Sequence, residues 1–158
     1  MDRFLESIQK PGVPLGPNVQ KRTPDKPLAT NTEQHQQMEN EMSLNISELT
    51  EISGFIGACV VDSDTGLMLT SEGGGKLDLE AAGAANTQVV KAKLQAIETL
   101  ALDDAIEDIL ITLGKQFHLI RPLEKNPSIF IYVALEKKAA NLGLARIQAK
   151  KVEKTLSI

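Results

Sequence analysis

The chain has no tryptophan, one tyrosine, four phenylalanines and a single cysteine, Cys59. With so few aromatic residues, the core must be assembled from Ala, Val, Ile and Leu. There is also no aromatic platform on which nucleic-acid bases could stack. Positive charge is not in excess either: the net charge is -4 and Lys and Arg form no stripe, so no nucleic-acid partner is expected. One cysteine excludes an internal disulfide. Set in an apolar run, its thiol reads as a small hydrophobe, which suits a reducing, cytoplasmic home. The two histidines, His35 and His118, lie far apart in sequence. No convergent set of metal ligands is in sight, so neither metal nor cofactor is expected. The opening residues show no cationic stretch leading into an apolar one, so no signal peptide is expected. No apolar run approaches the ~20 residues of a membrane span, and no membrane insertion is expected.

What is present divides into two parts. Five of the seven prolines (Pro11, Pro14, Pro17, Pro24 and Pro27) fall before residue 40, among Gln, Asn, Thr and charged residues. Such a composition buries too little apolar surface to offset chain entropy. Residues 1–42 are therefore read as a disordered Pro/Gln-rich tail, and 43–158 as the folded domain. Within the tail, Phe4, Leu5 and Ile8 share one helical face. That segment is either a frayed end or a short docking helix on a flexible tether.

The domain reads as α-β-β-α-β-β-β-α. A first helix is expected over 43–52 from Leu44, Ile46, Leu49 and Ile52, with Ser43 as cap and Ser53-Gly54 as stop. A hairpin follows, with strands 55–61 and 67–69 joined by a turn closed at Gly66. The first strand is apolar at almost every position, so both its faces should be covered. Beyond Gly73-Gly74-Gly75, Asp78 should cap a long helix with Leu77 as staple residue. Leu79, Gly83, Asn86, Val90, Leu94, Ile97 and Leu100 recur along it at i+3 and i+4. The run Ala81-Ala82-Gly83-Ala84-Ala85 reflects helix propensity or a close approach of a second helix. Strands 106–113, 117–123 and 128–135 form an antiparallel meander. A last helix from about Lys138 or Asn141 to Leu156 should bury Ala140, Leu144, Ile147 and Leu156 and expose Lys150, Lys151, Glu153 and Lys154. The fold class is α+β, a five-stranded antiparallel sheet carrying three helices.

Two motifs look chemical and are read as structural. Asp64-Thr65-Gly66 spells the aspartic-protease triplet, but it sits on a polar hairpin tip with no supporting half or flap. Gly73-Gly74-Gly75-Lys76 has Thr70 and Leu77 where a phosphate-binding loop needs Gly and a hydroxyl. No Ser, Cys or Lys stands beside an identifiable base. No catalytic residue is expected, and the protein is read as a non-enzyme.

Several markers occur in fixed order: Gly57 with Val60-Val61-Asp62, Gly66, the Ala-rich helix after Leu77, and Asn141-Leu142-Gly143-Leu144-Ala145-Arg146. This order resembles the roadblock family, the small domain of roadblock dynein light chains and of prokaryotic partners of Ras-like GTPases. The resemblance spans about residues 44 to 156. It implies a roadblock/profilin-like sandwich and a dimer with a sheet continuous across its interface and the two Ala-rich helices side by side. It also implies a non-catalytic adaptor or regulator of a small Ras-like GTPase. The alternative is a scaffold that recruits a partner through its tail, without a GTPase. Edge-strand physics favours the dimer independently, because Ile109-Leu110-Ile111 would be poorly protected at a sheet edge. The expected dimer or partner surface comprises Ala82, Ala85, Asn86, Val89, Lys93, Ile109 and Ile111, with Asn86, Gln88, Lys91 and Lys93 as its exposed polar edge.

Overall fold

The computed structural model describes residues 43–158. The expected tail, with its segment 4–8, lies outside the described residues. A 3₁₀ turn, Ser47–Glu51, is followed by β1 (Phe55–Asp62), β2 (Met68–Gly73) and α1 (Leu79–Thr99). Then come β3 (Ile109–Thr112), β4 (Gln116–Pro122), β5 (Ile129–Glu136) and α2 (Leu142–Thr155). The strands form one five-stranded sheet in the order β2-β1-β5-β4-β3, antiparallel throughout. The α+β architecture read from the sequence is therefore present, with two helices instead of three.

The missing helix is the first. Ser43 does not cap one; it forms an isolated bridge with Ser157, whose N–H donates to the Ser43 carbonyl at 3.1 Å. Asn45 Oδ1 accepts from both the Ser47 N–H (2.9 Å) and hydroxyl (2.7 Å), which sets the start two residues further on. The residues that become buried are Ile46, Leu49 and Ile52. They stand three apart, the repeat of a 3₁₀ helix, in which i and i+3 eclipse.

Alternation along the strands sorts the core into two clusters, one on each face. Cys59, Val61, Ile120, Phe130, Tyr132 and Ala134 face α1 and meet Leu79 and Val90. Ala58, Val60, Leu119, Ile131, Val133 and Leu135 face the 3₁₀ turn and α2, where Leu49, Ala145, Ala149 and Val152 meet them. The central β5 is buried from Ile129 to Leu135, consistent with cover on both faces.

The two helices start as the sequence suggests. Asp78 accepts from the Ala81 N–H at 3.0 Å, and Asn141 accepts from the Leu144 N–H at 3.1 Å. Their buried faces depart from expectation in specific places. Leu100 is 67 % exposed, because it is the C-cap of α1 and has turned away from the sheet. In α2 the buried residues are Ala145, Ala149 and Val152, so Leu144 and Ile147 point outward. Small side chains at those positions let the helix lie close to the sheet. Glu153, expected in solvent, is turned inward onto Arg121 at 2.5 Å.

Candidate functional site: an open edge strand and an outward helix face

Strand β3 is the edge of the sheet, paired only to β4 through Ile109↔Ile120, Leu110↔Leu119, Ile111↔His118 and Thr112↔Phe117. It is shorter than expected. Residues 106–108 run ahead of it unpaired, held by side chains instead of a neighbouring strand. Arg121 donates to the Glu107 carbonyl at 3.2 Å. Arg146 makes a two-point contact with Asp108 at 2.9 and 3.0 Å, a geometry that fixes orientation as well as charge. The other edge, β2, is polar at Thr70, Ser71 and Glu72. One edge is therefore polar, and the other is apolar and open.

Above the α1-facing side of the sheet, the predicted surface residues separate. Ala82, Val89, Ile109 and Ile111 are half-buried, each packed against the core cluster on this side of the sheet. Ala85 and Lys93 are exposed on α1. Asn86 is not part of the exposed edge. It is buried, with its side-chain amide donating to the Ala82 carbonyl at 2.8 Å, because the helical phase turns it toward the sheet with Gly83 and Thr87. Gln88 and Lys91 are exposed as expected. The outward face carries Ala81, Ala84, Ala85, Gln88 and Ala92, all exposed and small or uncharged. Gly83 holds the inner side down: a Cβ there would stand 2.7 Å from Val61 Cγ2.

The remaining candidates behave as structure. Asp62 Oδ1 accepts from the Asp64 N–H (2.8 Å) and Oδ2 from the Thr65 hydroxyl (2.9 Å), which ties the Asp64-Thr65-Gly66 tip into a turn. These bonds, led by the Asp64 N–H, hold the Asp62 carboxyl below its ordinary value. In the Gly73-Gly74-Gly75 run all three residues have positive φ, a connector that suits glycine. Burial pushes the Cys59 thiol up to about 12, so it is not poised as a nucleophile. His118 lies on the α1 side of β4. Its Nδ1 accepts from the Tyr132 hydroxyl (3.2 Å) and its Nε2 donates to Gln116 Oε1 (2.9 Å). Among the described residues, no three His, Cys, Asp or Glu side chains gather as a metal site. No helix among them is long and apolar enough to cross a membrane.

A cleft of about 380 Å³ opens between the end of α1 and β4, lined by Leu94, Ile97, Ile106, Leu123 and Arg121. Its volume falls in the range of small-molecule sites. Arg121, however, is already satisfied by Glu153 and the Glu107 carbonyl, and no buried side-chain N or O among the described residues lacks a partner. The other polar groups on its wall, Asp104, Glu107, Glu124 and Lys150, lie at its rim. Sequence reasoning missed the Arg121–Glu153 and Arg146–Asp108 pairs. The members of each pair are 32 and 38 residues apart, and only the folded sheet brings them together.

No family model matches the sequence, and no curated relative is found. Solved structures do match. Myxococcus xanthus MglB is 17% identical with a TM-score of 0.60, over 69% of this chain and 79% of that one. A Roadblock/LC7 domain from Streptomyces avermitilis is 12% identical with a TM-score of 0.60, over 69% of this chain and 88% of that one. The gliding protein MglB from Thermus thermophilus is 14% identical with a TM-score of 0.59, over 71% of this chain and 82% of that one. At these identities the likeness speaks for the fold: residues 43–158 adopt a roadblock fold.

Proposed function

We propose that the protein is a non-catalytic, homodimeric adaptor or regulator that binds a small Ras-like GTPase in the cytoplasm. The observation that carries this reading is the pairing of an open apolar edge, β3, with an outward α1 face that is small and uncharged at its centre. A second copy would add its own β3 to the edge and lay its own α1 beside this one, closing an isologous contact. The roadblock fold supports the reading, since the resemblance links this domain to GTPase partners. One roadblock-fold structure is described as MglB with a tetrameric arrangement, so self-assembly has a precedent on this scaffold. Regulation would then act by ordering the partner's switch segments, a shift of populations that needs no catalytic group here.

The reading is tested by Ala85→Arg with light scattering and circular dichroism. Ala85 is exposed, so the fold should be unchanged, within about 0.5 kcal/mol. The dimer should be lost, because an unpaired guanidinium would be buried between two helices. A wild-type chain that is monomeric at tens of micromolar removes the dimer. Affinity purification from the native cell at low salt should recover a GTPase; repeated failure reduces the reading to a scaffold.

A further inference from the structure

The open edge at β3 carries a pattern that reads the same from both ends. Ile109 and Ile111 face the α1 side of the sheet. Carried past the ends of the strand, the same alternation puts Glu107 before this row and Leu113 after it. Leu113 is 43 % exposed, although it is a large apolar residue. Glu107 is exposed, and Asp108 beside it is already held by Arg146. Beyond Leu113 stands the exposed Lys115, in a turn closed by the Leu113 N–H donating to the Gln116 carbonyl at 2.8 Å. That closure aims the backbone groups of Leu113, Ile111 and Ile109 at β4. It leaves the N–H and C=O of Leu110 and Thr112 facing the open edge. An acid, an apolar row and a base therefore follow one another along the edge.

We infer that a second copy pairs with this edge in one register, centred on Ile111, with Glu107 of each copy set against Lys115 of the other. The register rests on the dimer proposed above and supplies its specificity. A two-fold axis normal to the sheet makes the two β3 strands antiparallel and keeps both α1 helices on one side. Opposed residues must then share a face, so only every second register is open. With Ile111 on the axis, Ile111 meets its own copy and Ile109 meets Leu113, which covers the exposed leucine. Leu110 and Thr112 exchange N–H···O=C bonds across the axis, which satisfies the outward groups. Opposite charges close both ends of the contact. The neighbouring registers lack this match. Centred on Leu110, the pairing sets Glu107 against Leu113; centred on Thr112, it sets Ile109 against Lys115. Each places a charge against an aliphatic side chain, so the same residues that favour one register reject the next.

Charge reversal in the full chain tests the ends. Glu107→Lys and Lys115→Glu each put like charges at both ends of the contact, and each should weaken the dimer roughly tenfold at low salt. Both changes in one chain should restore it to within about threefold. An equimolar mixture of the two single variants should form mixed dimers in preference to either self-dimer, read by native mass spectrometry. Cross-linking tests the centre. Directly opposed residues of this kind stand ~4.5 Å apart at Cα, so Ile111→Cys should bridge to its copy on mild oxidation, while Cys59 stays buried. Leu110→Cys should not, because its own copy lies beyond the ~7 Å that a disulfide spans. A dimer indifferent to the charge changes, or one that cross-links through Leu110→Cys and not Ile111→Cys, overturns the register and leaves the dimer standing. A wild type that is monomeric at tens of micromolar removes the dimer and the register with it.

Discussion

The two helices cover opposite faces of one sheet by different means. The three ion pairs among the described residues, Arg121–Glu153, Arg146–Asp108 and Lys151–Glu48, all end on α2. None ends on α1, which lies on Val61 through the bare backbone of Gly83 and through Leu79 and Val90. The difference shows what each layer does. Helix α2 is a fastener: it ties the 3₁₀ turn, β4 and the start of β3 into one body. Helix α1 adheres by apolar burial and a single weak bond, Cys59 Sγ donating to the Leu79 carbonyl at 3.7 Å, and its outward face carries no ion pair to the rest of the fold. A face without intramolecular obligations is the one available to a partner.

The largest effect should come from breaking the fastener. Arg121 and Glu153 are each 8 % exposed at the side chain, and Glu153 Oε1 also accepts from the Glu124 N–H at 2.6 Å. Glu153→Ala leaves a buried guanidinium unpaired and should cost about 3–5 kcal/mol in urea unfolding. Replacing both, Arg121→Met with Glu153→Leu, should cost much less, because no charge is stranded. If the double variant is as unstable as the single, the pair is not the fastener described.

A smaller effect separates the helices through glycine. Gly83→Ala should destabilise by about 1–2 kcal/mol, since overpacking against Val61 outweighs the gain in helix propensity. Gly143→Ala, in the first turn of α2, meets only Asn141 Oδ1 at 3.4 Å. It should stabilise by about 0.5–1 kcal/mol through a less flexible unfolded chain. The same change of side chain should thus give opposite signs on the two layers. Equal signs in thermal melts would mean that α1 lies less tightly on β1 than the backbone indicates.

These contrasts also mark what the sequence could reveal. The chain order of the elements, the central place of β1, the meander of the last three strands and the Asp78 cap followed from apolar runs, alternation, capping chemistry and short connections, all local signals. The first helix failed because Ile46, Leu49 and Ile52 fit periods of 3.0 and 3.6 alike over so short a stretch, and Ser43 was engaged by Ser157. On the inner face of α2, size and not apolarity decides burial. Ala145 and Ala149 are buried because they are small, and the larger Leu144 and Ile147 are displaced outward. Of the surface residues, Asn86 was misplaced because a polar side chain that satisfies itself on the Ala82 carbonyl can face inward. Glu153 and Arg146 found partners only through tertiary contact, which periodicity does not report.

The smallest expected effect is in pH dependence, and it too separates the faces. On the α1 side, burial lowers the His118 pKa below its ordinary value of 6.5. The unfolded chain then binds the proton more readily than the folded one, so stability rises with pH through this window. His118's contribution is complete above 6.5 and shrinks as pH falls from there toward the folded value. On the α2 side, the Lys151 ammonium holds the Glu48 carboxyl below its ordinary 4.5. That contribution is intact above 4.5 and is lost only as pH falls further. Urea midpoints taken between pH 7.5 and 5 should therefore decline modestly in the wild type. His118→Gln should flatten that stretch, and Lys151→Ala should leave it alone and alter only the region below 4.5. His35 is present in every chain compared and cancels. Parallel curves for wild type and His118→Gln between pH 7.5 and 5 would show that His118 is solvated in both states, and would remove the source of the decline assigned to the α1 side.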